Sequence, residues 1–340
     1  MARDDDTTIQ QRKQIVIVGG GTGTHTVLRG LKRYQKQAHL SAVVTMADSG
    51  GSTGRLRDEF GYLPVGDVRM ALAALASDID HHEELLRELF LYRFDKGDGL
   101  SGHNFGNLLL VALSDILGSE EAAIAAAEKL LRVQGKVIPV TTQKVHLVAQ
   151  YADGKVVTGE HDIDEPADER EKYAITNLSV TPQATISERA EDALLQADLI
   201  VLGPGDLYTS VLANVVVDGV PEAIRNSAAT IVYVSNLMTK RGQTTGMGVA
   251  QHVAQLKKYI GRAPDCVLVN TTLLPPELVQ KYKADREHPV EFNLEANGCR
   301  VIPADLLATE AVQTASGDVL KRSLIRHDSR KLARKLIELL

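Results

Sequence analysis

The feature that most constrains this chain is a short β-branched run, Gln14-Ile15-Val16-Ile17-Val18, that stops at Gly19-Gly20-Gly21. An apolar run this short, ended by glycine, predicts a strand buried on both faces, as in parallel sheets. Val27, Leu28 and Leu31 follow with helical spacing, and Leu40 to Ala47 forms a second apolar stretch ended by Asp48-Ser49-Gly50-Gly51. Strand, turn, helix and strand in this order make a βαβ unit. The rhythm returns at Ala197–Leu202, Thr230–Val234 and Cys266–Val269, each ended by a polar or glycine-rich turn. The expected fold is α/β, Rossmann-like and doubly wound, with a mostly parallel sheet and an antiparallel hairpin insertion.

Residues 1–13 read as a flexible polar tail, its Asp4-Asp5-Asp6 triplet a solvated charge run. Residues 14–340 read as a single domain. An inserted β subregion is expected at about 137–181, where Val145–Val148, a turn at Asp153-Gly154 and Lys155–Val157 suggest a hairpin and another strand falls near 174–180. Helices are expected at 82–92, 104–117 and 120–134 and after Asp328, with Asp67 as the N-cap of a further helix.

Composition excludes several classes. With 38 Lys and Arg against 44 Asp and Glu, the net charge is −6, so nothing draws the chain electrostatically to nucleic acid or an anionic membrane. Trp is absent and aromatics are 4%, too few for base-stacking platforms. No apolar run reaches the ~20 residues of a membrane span, and the cytoplasm is the expected location. Cys266 and Cys299 read as buried residues of a reducing compartment.

The chemistry lies in the turns. Gly20, Gly21, Thr22, Gly23 and Thr24 follow a strand and open a helix, where backbone N–H groups can approach an anion without Cβ interference. The same glycines would serve a crossover packed for shape alone. The Lys-Ser/Thr ending of a P-loop is missing, and Thr24 stands where a dinucleotide fingerprint has its third glycine. Asp48 ends the second strand where a ribose carboxylate would sit, which leaves a nicotinamide or flavin nucleotide as a weaker alternative. The segment Asp48, Ser49, Gly50, Gly51, Ser52, with Arg55 beyond it, suits a phosphorylated ligand. Asp48 is the candidate ligand for Mg²⁺, and an arginine can bridge phosphate oxygens. Gly203, Pro204, Gly205 and Tyr208 form a third turn on the same rim. His103, Asn104 and Asn107 open a helix; Asn104 either faces the cleft or caps, and a structural role for His103 is the stronger reading. His25, His146 and His252 have no metal-ligand spacing.

Six segments in order, IVIVGGGTGTHTVLRGLK (15–32), ADSGGSTGRLRDEFGYLPVGDVRMALAAL (47–75), GHNFGNLLLVAL (102–113), GPGDLYTS (203–210), NLMTKRGQTTG (236–246) and IRHDSRKLA (325–333), resemble the gluconeogenesis-factor (YvcK-like) proteins, related in fold to 2-phospho-L-lactate transferase (CofD). The resemblance implies a Rossmann-like core that binds nucleotide sugars, UDP-N-acetylglucosamine above all. It also implies a role in carbon use, cell shape and wall synthesis, without an assigned reaction. It adds Asp67, Arg69, Asn236, Thr239, Met247 and Arg326 to the expected ligand site, and is compatible with a homo-oligomer and a cytoplasmic protein partner. The chain departs from the family pattern at Ser49 (usually aspartate), Asp206 (usually serine), Gln243 (usually glutamate) and Met247 (usually tyrosine). The alternative function is a CofD-like transferase that uses a nucleotide-activated phosphate substrate with Mg²⁺.

Overall fold

A computed structural model describes residues 12–166, 170–292, 298–309 and 324–340. Most of the expected N-terminal tail lies outside the described residues, and Lys13 already belongs to the first strand.

Seven strands form one sheet: β1 (Lys13–Gly19), β2 (Ala38–Val44), β3 (Lys136–Pro139), β7 (Leu199–Leu202), β8 (Thr230–Val234), β9 (Cys266–Asn270) and β10 (Arg300–Ala304), in the order β10-β9-β8-β7-β1-β2-β3. Every neighbouring pair is parallel. Strands β4 (His146–Tyr151), β5 (Val156–Thr158) and β6 (Ile175–Thr181) form a separate antiparallel sheet in the order β5-β4-β6. The expected insertion began at Val137, but Lys136–Pro139 instead extends the main sheet beside β2, so the antiparallel part starts at β4. The cause is a run, Lys-Val-Ile-Pro, too short to show whether its partner strand is parallel or antiparallel.

The alternation of β1 shows why the sheet must be covered twice. Ile15 and Ile17 enter one apolar core, with Val27, Leu28, Leu31, Val68, Leu72, Leu332 and Leu336. Val16 and Val18 enter the other, with Leu147, Tyr151, Leu178, Leu212, Val253 and Leu256. All four β1 side chains are at most 1% exposed. Each contributes on the order of 1.5–3 kcal/mol by burial, and the small sheet covers the second of these faces.

The chain's first half lays β2 and β3 to one side of β1, and its second half lays β7 to β10 to the other. The order reverses between β1 and β7. In open α/β sheets the crevice at the carboxyl ends of the two strands flanking such a reversal is where ligands sit.

Candidate functional site

Helix α1 (Gly21–Leu31) follows β1 directly, and its N-cap, Gly20, makes no side-chain cap bond. Helix α2 (Gly51–Phe60) follows β2, again with a glycine N-cap, Gly50, and no side-chain cap. Gly21 and Gly51 have φ of +61° and +49°, the left-handed region open to glycine at little cost. Arg55, expected in a loop, rides on α2, where it is exposed and donates to the Ser101 carbonyl at 3.1 Å. The β7 turn presses against α1: a Cβ on Gly23 would lie 1.9 Å from the Pro204 carbonyl oxygen. Asn214 also donates to the Gly19 carbonyl at 3.3 Å. The turns after β1 and β7 are thus one packed unit at the reversal point.

Helix α3 (Gly66–Leu75) has Val65 as its N-cap. Asp67 is therefore not the expected cap. It sits in the first turn of α3 and accepts a hydrogen bond from the Gly21 N–H at 2.8 Å, 46 residues away. A Cβ on Gly20 would come within 2.1 Å of Asp67 Oδ2, so glycine is required there by close approach. Asp48 accepts the Gly50 N–H at 2.9 Å, and its other oxygen lies where a Gly66 Cβ would be. Burial pushes the Asp48 carboxyl above its ordinary range. Burial, and then the Asp48 charge, raise Asp67 to about 7. Glu160 is raised well above its usual value by burial, then by Asp48, Asp164 and Asp67. Arg69, buried beside them, draws Asp48 and Asp67 back down.

Behind the carboxylates lies a network between α2 and helix α5 (Phe105–Leu117). Ser52 Oγ meets His103 Nδ1 at 3.2 Å and accepts from the Asn104 N–H and from Asn107 Nδ2, both at 3.3 Å. Asn107 Oδ1 in turn accepts from Arg69 Nε at 2.8 Å. Asn104 caps α5, accepting from the Gly106 and Asn107 N–H groups. Burial, then Arg55, lower the His103 pKa, which favours its neutral form. Ser52, His103, Asn104 and Asn107 spend their polar atoms on holding the turns.

Helix α7 (Glu160–Asp164), absent from the sequence expectations, bridges the two halves. At one end, Ser49 Oγ accepts the His161 N–H at 2.9 Å and the Ser49 N–H reaches Glu160 at 3.4 Å. At the other end, Asp164 accepts from Gln243 Nε2 at 2.9 Å and pairs with Lys240 at 3.1 Å. Sequence reasoning missed Glu160, Asp164 and Lys240. The local signals were the acidic run after Thr158 and, for Lys240, its place inside the 236–246 segment that carries the resemblance.

The remaining expected residues separate by position. Thr22 is exposed on α1, and Thr24 is buried. Gly203 and Pro204 are buried under the rim, and Gly205 faces it. Asn236 donates to the Gly205 carbonyl at 2.8 Å, which ties the β8 turn to the β7 turn. Thr239 is buried and pairs with His288 through its backbone and hydroxyl. Tyr208 is fully buried, because the helical segment after Gly205 carries its ring into the core with Leu207, Val211 and Leu212. Met247 is half-buried against the same core. Burial, and then the charges of Arg87, Arg29, Arg69 and Arg326, lower His25 of α1 to about 3. Asp48, the expected Mg²⁺ ligand, is buried and engaged with the Gly50 N–H. Among the described residues no three acidic, His or Cys side chains are arranged to hold a metal ion.

The family model described as 2-phospho-L-lactate transferase CofD matches residues 15–307. A Nostoc protein is 42% identical over 330 residues, covering 96% of this chain and 68% of its own length. The Bacillus subtilis protein named gluconeogenesis factor is 40% identical over 335 residues, covering 97% of this chain and 99% of that one. A crystal structure of a Bacillus halodurans protein, described as a member of the UPF0052 family, superposes with a TM-score of 0.86 at 35% identity over 96% of this chain and 99% of that one. With most of its length matched by the family model and nearly all of it by these relatives, the chain belongs to the CofD family and, within it, to the gluconeogenesis factors.

Proposed function

We propose that the chain is a ligand-sensing regulatory protein that binds a nucleotide sugar, of the UDP-N-acetylglucosamine type, in the crevice between β1 and β7. The observation that carries this reading is that α1, at the reversal point, and α2, after the neighbouring β2, both start on glycines without a side-chain cap. By contrast, Asp80, Asn104 and Ser119 cap helix α4 (His81–Leu91), α5 and helix α6 (Glu120–Leu130) with their side chains. Helix starts of this kind attract phosphate oxygens through backbone N–H groups and the helix dipole. Arg69 and Arg326, on the flank of α1, supply guanidinium charge for a diphosphate. A signalling role in carbon use and wall synthesis in the cytoplasm, acting through a protein partner, fits a site built mainly from fixed backbone.

A second reading, a transferase that uses a nucleotide-activated phosphate substrate, is favoured by one observation: Asp48 and Asp67 crowd together with raised pKa values. Such a pair suits Mg²⁺ held jointly with substrate phosphates. In that reading Asp48 and Asp67 would hold the ion, and it would neutralise phosphate charge beside them.

A melting screen with uridine, guanosine and nicotinamide nucleotides, each with and without Mg²⁺, tests the first reading. A UDP-sugar at a hundredfold excess over its Kd is expected to stabilise the fold by about 2.7 kcal/mol. Stabilisation by NAD or GDP alone would overturn it. Turnover of a UDP-sugar with Mg²⁺, followed by NMR, would move the assignment to the transferase.

A further inference from the structure

A second polar cluster lies where α7 meets the turns after β7 and β8. Asp164, at the end of α7, accepts from Gln243 Nε2 at 2.9 Å, from Thr209 Oγ1 at 3.3 Å and from Lys240 Nζ at 3.1 Å. Gln243 Nε2 also reaches Thr209 Oγ1 at 3.4 Å. Burial, with the Asp164 charge adding to it, raises the carboxyl of Asp206, at the start of the segment after Gly205, to about 7. The charges of Asp206, Asp164 and Glu287 favour the Lys240 cation despite its burial. Gln243 is 2% exposed, and its amide lies inside the group. Its Oε1 is buried and has no hydrogen-bond partner among the described residues.

The chemistry of the cluster narrows what it can take. Two carboxylates repel phosphate, and Lys240 already fills the place of a cation. What remains is a set of acceptors, the carboxylate oxygens and the orphan Gln243 Oε1, beside hydroxyl and amide donors. Such a set pairs with neutral groups that donate and accept at once, which is what sugar hydroxyls and an amide do. A buried amide oxygen without a partner costs stability until a ligand donor reaches it. The cluster shares its rim with the anion turns, since Pro204 and Gly205 pack against the start of α1.

We infer that Asp164, Asp206, Gln243 and Thr209 form the subsite for the hydroxyl- and amide-bearing sugar of a ligand whose phosphates sit at α1 and α2, with Lys240 locking the acceptors in place. This rests on the nucleotide-sugar reading and adds residues to it. The subsite contributes selectivity for the sugar and not affinity for the nucleotide.

Calorimetric titration of the full chain with UDP and with UDP-N-acetylglucosamine separates the two. Asp206→Asn and Gln243→Met are both tested, and urea unfolding confirms that each is folded. Losing one buried hydrogen bond, each variant is expected to weaken UDP-N-acetylglucosamine about tenfold and leave UDP within about twofold of the parent. Equal weakening of both ligands, or no change in either, overturns the inference. A parent chain that binds UDP-N-acetylglucosamine no better than UDP also overturns it while leaving the nucleotide site standing. A parent that binds no uridine nucleotide removes the nucleotide reading and this inference together.

Discussion

Gly23→Ala separates the two effects of a glycine in a helix by the sign of its outcome. Position 23 lies inside α1, where alanine is favoured over glycine by about 1 kcal/mol on propensity alone. Against that, the new Cβ would meet the Pro204 carbonyl oxygen at 1.9 Å, with the Gly205 nitrogen at 3.0 Å. Both neighbours are backbone, so α1 and the β7 turn must part by about 1.5 Å to restore an ordinary contact of about 3.4 Å. Overpacking of this kind costs about 1–3 kcal/mol, which outweighs the propensity gain. The expected result is a net loss of about 1–2 kcal/mol in urea unfolding with an unchanged slope. Nucleotide-sugar affinity should fall as well, because the phosphate donors ride on the displaced turn. A variant that unfolds at higher urea than its parent would show that the two turns are not packed together and that the crevice is drawn wrongly.

Arg326→Lys keeps the charge near α1 but loses the planar fork of donors, so it should weaken every nucleotide sugar several-fold. Met247→Tyr restores a ring and a hydroxyl and should tighten UDP-N-acetylglucosamine; titrations of both variants check this. Chelation with EDTA should weaken binding only modestly, and Asp48→Asn, whose amide oxygen can still take the Gly50 N–H but which loses the charge and the second acceptor oxygen, should weaken it too, as a comparison of Kd values would show. Glu83 is lowered from 4.5 to about 2 by Ser77 and then Arg132. A depressed carboxylate of this kind contributes stability that is complete above its unfolded pKa and fades as pH falls from about 4.5 toward 2. Glu83→Gln should flatten that acid limb in pH-dependent urea unfolding.

Strands β1, β2, β7, β8 and β9 were legible because their apolar runs stop at polar or glycine-rich turns, a signal local to each run, whereas β3 was read into the insertion and β10 was not anticipated. The helix expected at 82–92 forms at His81–Leu91, and the one at 104–117 at Phe105–Leu117. The one at 120–134 ends early at Leu130, where Arg132 takes φ of +46°. The site was legible only where its chemistry is local. Gly21 and Gly51 need their left-handed conformation, whereas Gly50 has φ of −87° and room for a Cβ. Asp67 looked like a cap because it precedes an apolar helix; its bond to Gly21 spans 46 residues and leaves no trace in spacing. Asp164 and Lys240 are joined across 76 residues by the fold alone. Tyr208 carries a polar tip in a motif-like segment, yet the turn after Gly205 sends it inward.

The position of β1 in the interior of the sheet, between β2 and β7, has a consequence for synthesis. Its register partner on one side, β2, follows within a few dozen residues, but Ile15–Val18 pair on the other side with Leu199–Leu202. At ~5–20 residues per second, a ribosome needs roughly 10–40 s to deliver that second partner. During the interval the nascent half-sheet carries an open edge of Ile and Val, the kind of edge that invites pairing with another chain. The crevice forms only once β7 has docked, so no ligand can steady the emerging first half. The interval of exposure falls to chaperones to guard.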